Sequence, residues 1–284
     1  MRILCCLNAD VVSNVALNLL LPALAPHEVH VALSARVGGG ADHLEPPPRR
    51  ELRVAEQGFA NDVLFPLVER AGFADDGRYL TFREIERYRG IAVSRLPNPN
   101  DADGLTFVQR FAPDLVLSIR YGGIFKSPVI AVPRLGVLNL HAGLLPAYRG
   151  VIATFRALMA EDEEIGCTLH YIADGTIDTG PVVGQARVAV DRARSLYWHV
   201  LSLYPPGIAM MADALRRIAV GETLGVAAQT GGAYYSYASA DEWSEFLRRG
   251  WRVTDPSDLH ALMLRYLPPA AAAAGPPEAL SAHA

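Results

Sequence analysis

The sequence predicts an α/β fold built on a mostly parallel central sheet. Two observations carry that reading: short apolar runs of strand length alternate with helical stretches, and 51% of the 284 residues are hydrophobic, enough for a substantial core in one or two domains. In order, Arg2 to Leu7 reads as a strand, Val11 to Leu24 as a helix and Val29 to Leu33 as a strand. Glu56 to Ala71 and Phe82 to Tyr88 read as helices, the latter entered through a Thr81 cap with Glu84 three residues on. Ile91 to Leu96 is the next strand, Ala102 to Phe111 a helix, and Leu115 to Ile119 and Gly136 to His141 two further strands. The first half is therefore Rossmann-like.

Two stretches read as loops: Gly38 to Arg50, with GGG then PPPRR, and Pro97 to Asp103, PNPNDAD. The first is expected to be a surface insertion, with a flap over a site as the alternative. After His141, LLPAYRG must turn, because Pro146 cannot continue a strand. Thr154 to Glu161 follows as a short helix. Cys167 to Ile172 and Val182 to Val190 alternate like strands, and Ser195 to Val220 is helical with a break at Pro205 and Pro206. The expected organisation is a catalytic domain over 1–220, a small aromatic-rich extension over 221–268, and a disordered tail over 269–284.

Charge excludes some partners. The net charge is −4, and the 26 basic residues comprise one lysine, Lys126, and 25 arginines, so nothing recommends a polyanionic partner or nucleic acid. Cys5, Cys6 and Cys167 form no C-x-x-C, which points to a reducing compartment with neither metal site nor disulfide framework. The apolar N-terminus is interrupted by Asn8, Asp10, Ser13 and Asn14 and is read as strand plus helix rather than a signal peptide. No uninterrupted apolar run reaches membrane-spanning length, so a cytoplasmic protein is expected.

The chemistry concentrates between Gly136 and Gly180. On a strand from Gly136 to His141, side chains alternate, so Asn139 and His141 share one face at the carboxyl end, where parallel α/β sheets bind ligands. Taken singly, each reads as well as a residue that satisfies loop backbone. Their pairing, the proline-stopped turn behind them and the later Gly-rich acidic loop with Asp178 favour a site. Asp178 also reads as a turn cap, and His170 equally as a satisfied core histidine or a catalytic one.

These segments, NLHAGLLPAYRG, GCTLHYIADGTIDTG and PDLVLSIRYGGIF, together resemble the formyltransferase family that uses 10-formyltetrahydrofolate. The resemblance is strongest from Pro113 to Val190. It implies an N-formyltransferase with Asn139, His141 and Asp178 as catalytic residues. Asn139 and His141 would hydrogen-bond the carbonyl oxygen as negative charge gathers on it, an effect worth roughly 3–4 kcal/mol per donor, while Asp178 orients the imidazole and helps move the amine proton. The folate would lie against Arg120, Tyr121, Gly122, Gly123, Ile124 and Phe125 and against Tyr171, Asp174 and Gly175. One departure is plain: the family usually has Pro-Ser after the histidine, where this chain has Ala142 and Gly143.

The resemblance implies several acceptors, which the residues weigh against one another. The loop after the first strand, LNADVVSN, lacks glycine and carries an Asp that opposes a substrate phosphate, which disfavours a ribonucleotide. From Gly221 onward four basic residues stand against seven acidic ones, which disfavours tRNA. A small-molecule amine or hydroxylamine remains, a nucleotide-linked amino sugar or an N-hydroxylated amino acid, with Arg149, Tyr234 and Tyr235 as candidate binding residues. The tyrosines read at least as well as packing of the extension or of a homodimer interface. The competing function readings are a tRNA formyltransferase and a non-catalytic folate-binding module.

Overall fold

The computed structural model describes residues 1–34 and 45–268. Arg2–Asn8 forms β1; Asp10 then caps α1, Val11–Leu24, its carboxylate accepting the Ser13 N–H. β2 is Glu28–Ser34. Gly38 to Arg50, expected as a loop, lies partly outside the described residues, and its described end is instead helical. Pro47–Arg53 forms α2, because proline suits the first helical turn, where its missing N–H has no partner to lose. The helix continues through two π-helical turns, Val54–Gly58 and Ala60–Leu64, into α3, Phe65–Ala71.

α4, Phe82–Arg89, starts with a complete Thr81/Glu84 capping box. Then come β3, Ala92–Arg95, α5, Ala102–Phe111, β4, Leu115–Ile119, a single turn α6, Ser127–Ile130, and β5, Val137–His141. The turn after β5 ends in a short strand, β6, Tyr148–Gly150. α7, Ala153–Met159, leads to β7, Glu164–Tyr171, and β8, Val182–Ala189. α8, Leu196–Ser202, and α9, Tyr204–Ala219, part just before Pro205. β9, Ala233–Tyr235, α10, Ala240–Arg248, and α11, Pro256–Leu264, make up the C-terminal segment.

The seven-stranded sheet runs β3-β2-β1-β4-β5-β7-β8, parallel as far as β5 and antiparallel for β7 and β8. The chain winds outward in opposite directions from β1 and from β4, so a crevice opens beyond their carboxyl ends, the usual ligand position in such sheets. The two faces are covered unequally. Cys5, Leu117 and Leu140 belong to a large core shared with α1 and α9, whereas Cys6, Val116 and Val137 belong to a smaller cluster closed by Val108 and Val129. On that thinner face, Ser118, Asn139 and His170 stand in register across β4, β5 and β7.

The segment from 221 to 268 packs into the large core. Trp243 is fully buried with its ring 4.4 Å from Phe155, and Tyr266 is buried beside Phe65 and Tyr79, donating its hydroxyl to Asn14 Oδ1. β9 adds a parallel partner to β6. No helix among the described residues is long and apolar enough to cross a membrane.

His199 is buried in α8, its Nδ1–H donating to the Ser195 carbonyl and its Nε2 accepting the Asp191 N–H. Burial lowers its pKa and outweighs the opposing pull of the Ser195 carbonyl, Asp191 and Asp258. The ring is thus neutral in the fold while the unfolded chain takes up a proton near pH ~6.5. Its stabilising contribution is complete above that pH and fades as pH falls toward the lowered folded value. Melting temperature measured from about pH 7.5 down to about pH 5 should fall less steeply for His199→Gln than for the parent.

Candidate active site

Asn139 and His141 project from β5 on the thinner face, and the loop between β7 and β8 folds back over them. His170, 1% exposed, has Nδ1 3.0 Å from the Tyr171 carbonyl, so that nitrogen carries the proton and Nε2 accepts the Asn139 amide at 3.0 Å. That bond fixes which way the Asn139 amide points. A core histidine and a site histidine are therefore the same residue here.

Asp178 occupies the left-handed region, φ 56°, and its carboxylate lies 3.4 Å from His141 Nδ1 and 3.4 Å from His170 Nε2. The Gly150 N–H donates to its Oδ2 at 2.9 Å. Burial alone would raise the Asp178 pKa, but His141 and the Gly150 N–H outweigh it and hold the carboxyl below the usual aspartate value. Gln229 fixes the loop from behind, donating to the carbonyls of Asp178 at 3.0 Å and Gly180 at 2.6 Å. Gly150 itself must be glycine: its φ is 97°, and a Cβ would stand 2.2 Å from the Tyr235 carbonyl.

His141 Nε2 faces the Tyr148 carbonyl at 2.7 Å, so the ring donates to its own turn from that nitrogen. Gly143 makes this rotamer feasible, since a Cβ there would lie 2.7 Å from Nε2 and 2.5 Å from Ala153 Cβ. The departure Ala142-Gly143 thus has a steric consequence beyond a lost hydroxyl.

A cavity of about 620 Å³ opens onto this cluster. Its walls include Ser118, Asn139, His141, His170 and Asp178, the loop Arg120 to Phe125, Ile172, Asp174 and Ile177, and at another side Glu45, Arg49, Arg53 and Glu56 with Tyr234 and Tyr237. Sequence reasoning had no signal for Ser118, Glu45, Arg49, Glu56 or Gln229; their roles arise from register and long-range contacts.

The expected folate-facing residues divide. Arg120, Tyr121, Gly122, Gly123, Ile124, Phe125 and Asp174 line the cavity, while Tyr171 and Gly175 do not. The Arg120 guanidinium is committed inside the protein, 2.7 Å from Glu56 Oε2 and 3.2 Å from Asp10 Oδ2. Of the backbone groups expected to read a ligand, the Gly122 N–H donates to Ser34 Oγ and the Ile124 carbonyl accepts from Asn100. Tyr234 lines the cavity, but Arg149 and Tyr235, expected with it, do not: Arg149 donates to the Gly232 carbonyl, and Tyr235 packs on Tyr148 with Arg156 over its ring. Tyr235 alternates with Tyr234 along β9 and so lies on the opposite face of the ribbon.

The sequence profile of the formyl transferase family matches residues 94–197, which contain the whole Asn139, His141, His170 and Asp178 cluster. A methionyl-tRNA formyltransferase from Kosmotoga olearia is 31% identical over 140 residues, 49% of this chain and 45% of that relative, so the chain spans about half the length of the relative it matches. In fold, the chain is similar to glycinamide ribonucleotide transformylase 1 from Symbiobacterium toebii, with TM-score 0.53, 20% identity and coverage of 81% of this chain and 94% of that one. It is also similar to an N-formyltransferase from Helicobacter canadensis in complex with folinic acid and dTDP-3-aminofucose, with TM-score 0.51, 18% identity and coverage of 83% and 71%.

Proposed function

Because residues 94–197 of this chain are a domain of the formyl transferase family, we propose that the protein transfers a formyl group from 10-formyltetrahydrofolate to an amine or hydroxylamine of a small metabolite. The observation that carries the reading is the convergence of Asn139, His141 and Asp178 on one cavity, with Asp178 3.4 Å from His141. Ile124, Phe125, Ile172 and Ile177 give part of the wall an apolar character that fits a flat ring system, and the volume lies within the usual range for small-molecule sites.

Bound there, the folate would supply the formyl carbon. Asn139, with one N–H held by His170, keeps its second for the oxygen on which charge builds. His141 can turn its Nε2–H from the Tyr148 carbonyl to the same oxygen. Asp178, its pKa lowered, orients the imidazole and can pass the amine proton through water to N10 of the folate as the formyl C–N10 bond breaks, which releases tetrahydrofolate. Incubating the protein with 10-formyltetrahydrofolate and a panel of amino sugar nucleotides, hydroxyornithine and simple amines should give a product heavier by one formyl group. If the donor is not consumed with any amine although folate binds, the non-catalytic reading replaces this one.

The name of the curated relative favours one alternative, formylation of an aminoacyl-tRNA. The segment from Gly221 onward, with seven acidic residues against four basic, opposes it. Salt-sensitive binding of initiator tRNA would establish the alternative; its absence would dismiss it.

Gln229 supplies a smaller prediction. Gln229→Ala removes two hydrogen bonds, about 1–3 kcal/mol of loop ordering, so kcat should fall about tenfold with little change in folate binding. The Asp178 carboxyl, followed by carbon NMR, should titrate at higher pH in the variant.

A further inference from the structure

His141 is held away from the task that formyl transfer asks of it, and one short strand holds it. Backbone groups alternate sides along a strand. One edge of β6 belongs to its ribbon with β9, which the Val151 N–H extends by donating to the Tyr235 carbonyl at 3.0 Å. The other edge faces the cluster: the Tyr148 carbonyl accepts the His141 Nε2–H at 2.7 Å, and the Gly150 N–H donates to Asp178 at 2.9 Å. Tyr148 is anchored in turn, its hydroxyl donating to Asp162 Oδ2 at 2.6 Å. While the contact with His141 lasts, a formyl oxygen in the cavity meets the second Asn139 N–H without the histidine. A donor missing from a developing oxyanion costs about 10²–10³-fold in rate, so water finds the formyl group poorly activated.

Gly143 permits that contact. It does not take a positive φ, so its backbone would accept alanine. Space excludes a side chain there: a Cβ would stand 2.7 Å from His141 Nε2, 3.0 Å from the Tyr148 carbonyl oxygen and 2.5 Å from Ala153 Cβ. A larger residue must push the ring off the carbonyl, and the open volume beside the ring is the cavity that His141 lines. In the parent protein, release needs something that moves β6. Tyr234 lines the cavity, is 56% exposed, and has ring atoms 2.9 and 3.1 Å from where a Gly150 Cβ would stand, so its ring rests on that strand. An acceptor with a body to lay on Tyr234 can shift the ribbon, whereas a water molecule cannot.

We propose that Gly143 is a specificity-determining residue: by letting His141 rest on Tyr148, it reserves the formyl group for an amine large enough to displace β6 and withholds it from water. The inference rests on the formyl-transfer reading. The reaction avoided is hydrolysis, in which water adds to the formyl carbon, the C–N10 bond breaks, one water proton passes to N10 and the other to solvent, leaving tetrahydrofolate and formate.

The test measures formate released from 10-formyltetrahydrofolate by the full chain in a buffer without amines, alongside calorimetric affinity for 5-formyltetrahydrofolate. Gly143→Ala should bind the folate as the parent does and release formate at least tenfold faster. The gain should vanish in Gly143→Ala/His141→Ala. Nitrogen NMR of the parent should show a His141 Nε2 proton shielded from solvent exchange, absent in Gly143→Ala and lost from the parent when an amine that becomes formylated is added. The proposal is overturned if the parent releases formate as fast as the variant, if the gain survives loss of His141, or if a folate-binding variant shows no gain. A freely exchanging Nε2 proton in the parent, or one still shielded during formylation, overturns it equally. Should Gly143→Ala fail to fold, Gly143→Ala/Ala153→Gly removes the contact with Ala153 Cβ and keeps those with His141 and Tyr148, and the NMR of the parent decides without any variant. A parent that binds no 5-formyltetrahydrofolate yet keeps its Nε2 proton shielded would sink the formyl-transfer reading and leave the resting contact standing.

Discussion

Replacing His141 with alanine is expected to lower kcat by about 10²–10³-fold while leaving the affinity for 5-formyltetrahydrofolate nearly unchanged. The separation follows from where the ring sits. It is 8% exposed, backed by Asp178, and its Nε2–H, held on the Tyr148 carbonyl, matters to the chemistry only when it turns to the charge that builds on the formyl oxygen. Single-turnover rates with a saturating amine and calorimetric folate affinity measure the two quantities separately. Equal losses in both would mean that His141 serves binding, and full-speed turnover would remove it from the chemistry. Asn139→Ala should behave similarly, with one difference: it also releases His170 Nε2, so part of its effect would reappear in His170→Ala.

Trp243→Ala is expected to cost about 3–5 kcal/mol of stability, the range for deleting a large buried aromatic. The indole is fully buried, 4.4 Å from Phe155 and 5.8 Å from Phe246, and holds the C-terminal segment on α7. Its Nε1–H has no partner, however. A buried orphan donor carries a desolvation penalty of about 1–3 kcal/mol, so Trp243→Phe should lose far less than the ring's smaller area alone would indicate. Urea denaturation of both variants tests this. A phenylalanine variant as unstable as the alanine one would show that the indole's shape, and not its apolar area, is what the core requires.

Much of the fold is legible in the sequence because local and global signals agree. Val11 to Leu24 and Leu115 to Ile119 are found with the expected boundaries, the first because Asp10 caps it and the second because a fully buried strand is an uninterrupted apolar run. Asn139 and His141 are placed on one face by strand alternation, and they stand out as a pair only together with the proline-stopped turn and the later Gly-rich acidic loop. Asp178 needs the family resemblance, since nothing local distinguishes it from a turn cap. PPPRR misleads because prolines that break a helix interior also start a helix well, so the run reads as loop until its partner surface is known. Arg149 and Tyr235 mislead because strands of three residues, β6 and β9, have no detectable pattern, so the sequence does not show that Tyr234 and Tyr235 face opposite sides or that Arg149 donates to the Gly232 carbonyl. Glu56 and Gln229 are silent in sequence: one pairs with Arg120, 64 residues on, the other holds two carbonyls about fifty residues away.

The ribbon of β6 and β9 also bears on how this molecule is born. Gly150 hands its N–H to Asp178 from a strand whose neighbour is not translated until Tyr235, and Gln229 arrives only shortly before it. A nascent chain could therefore bury its sheet well ahead of that point and still lack a braced carboxylate, so a fixed Asp178 would emerge only once Tyr235 has been made rather than with the sheet itself.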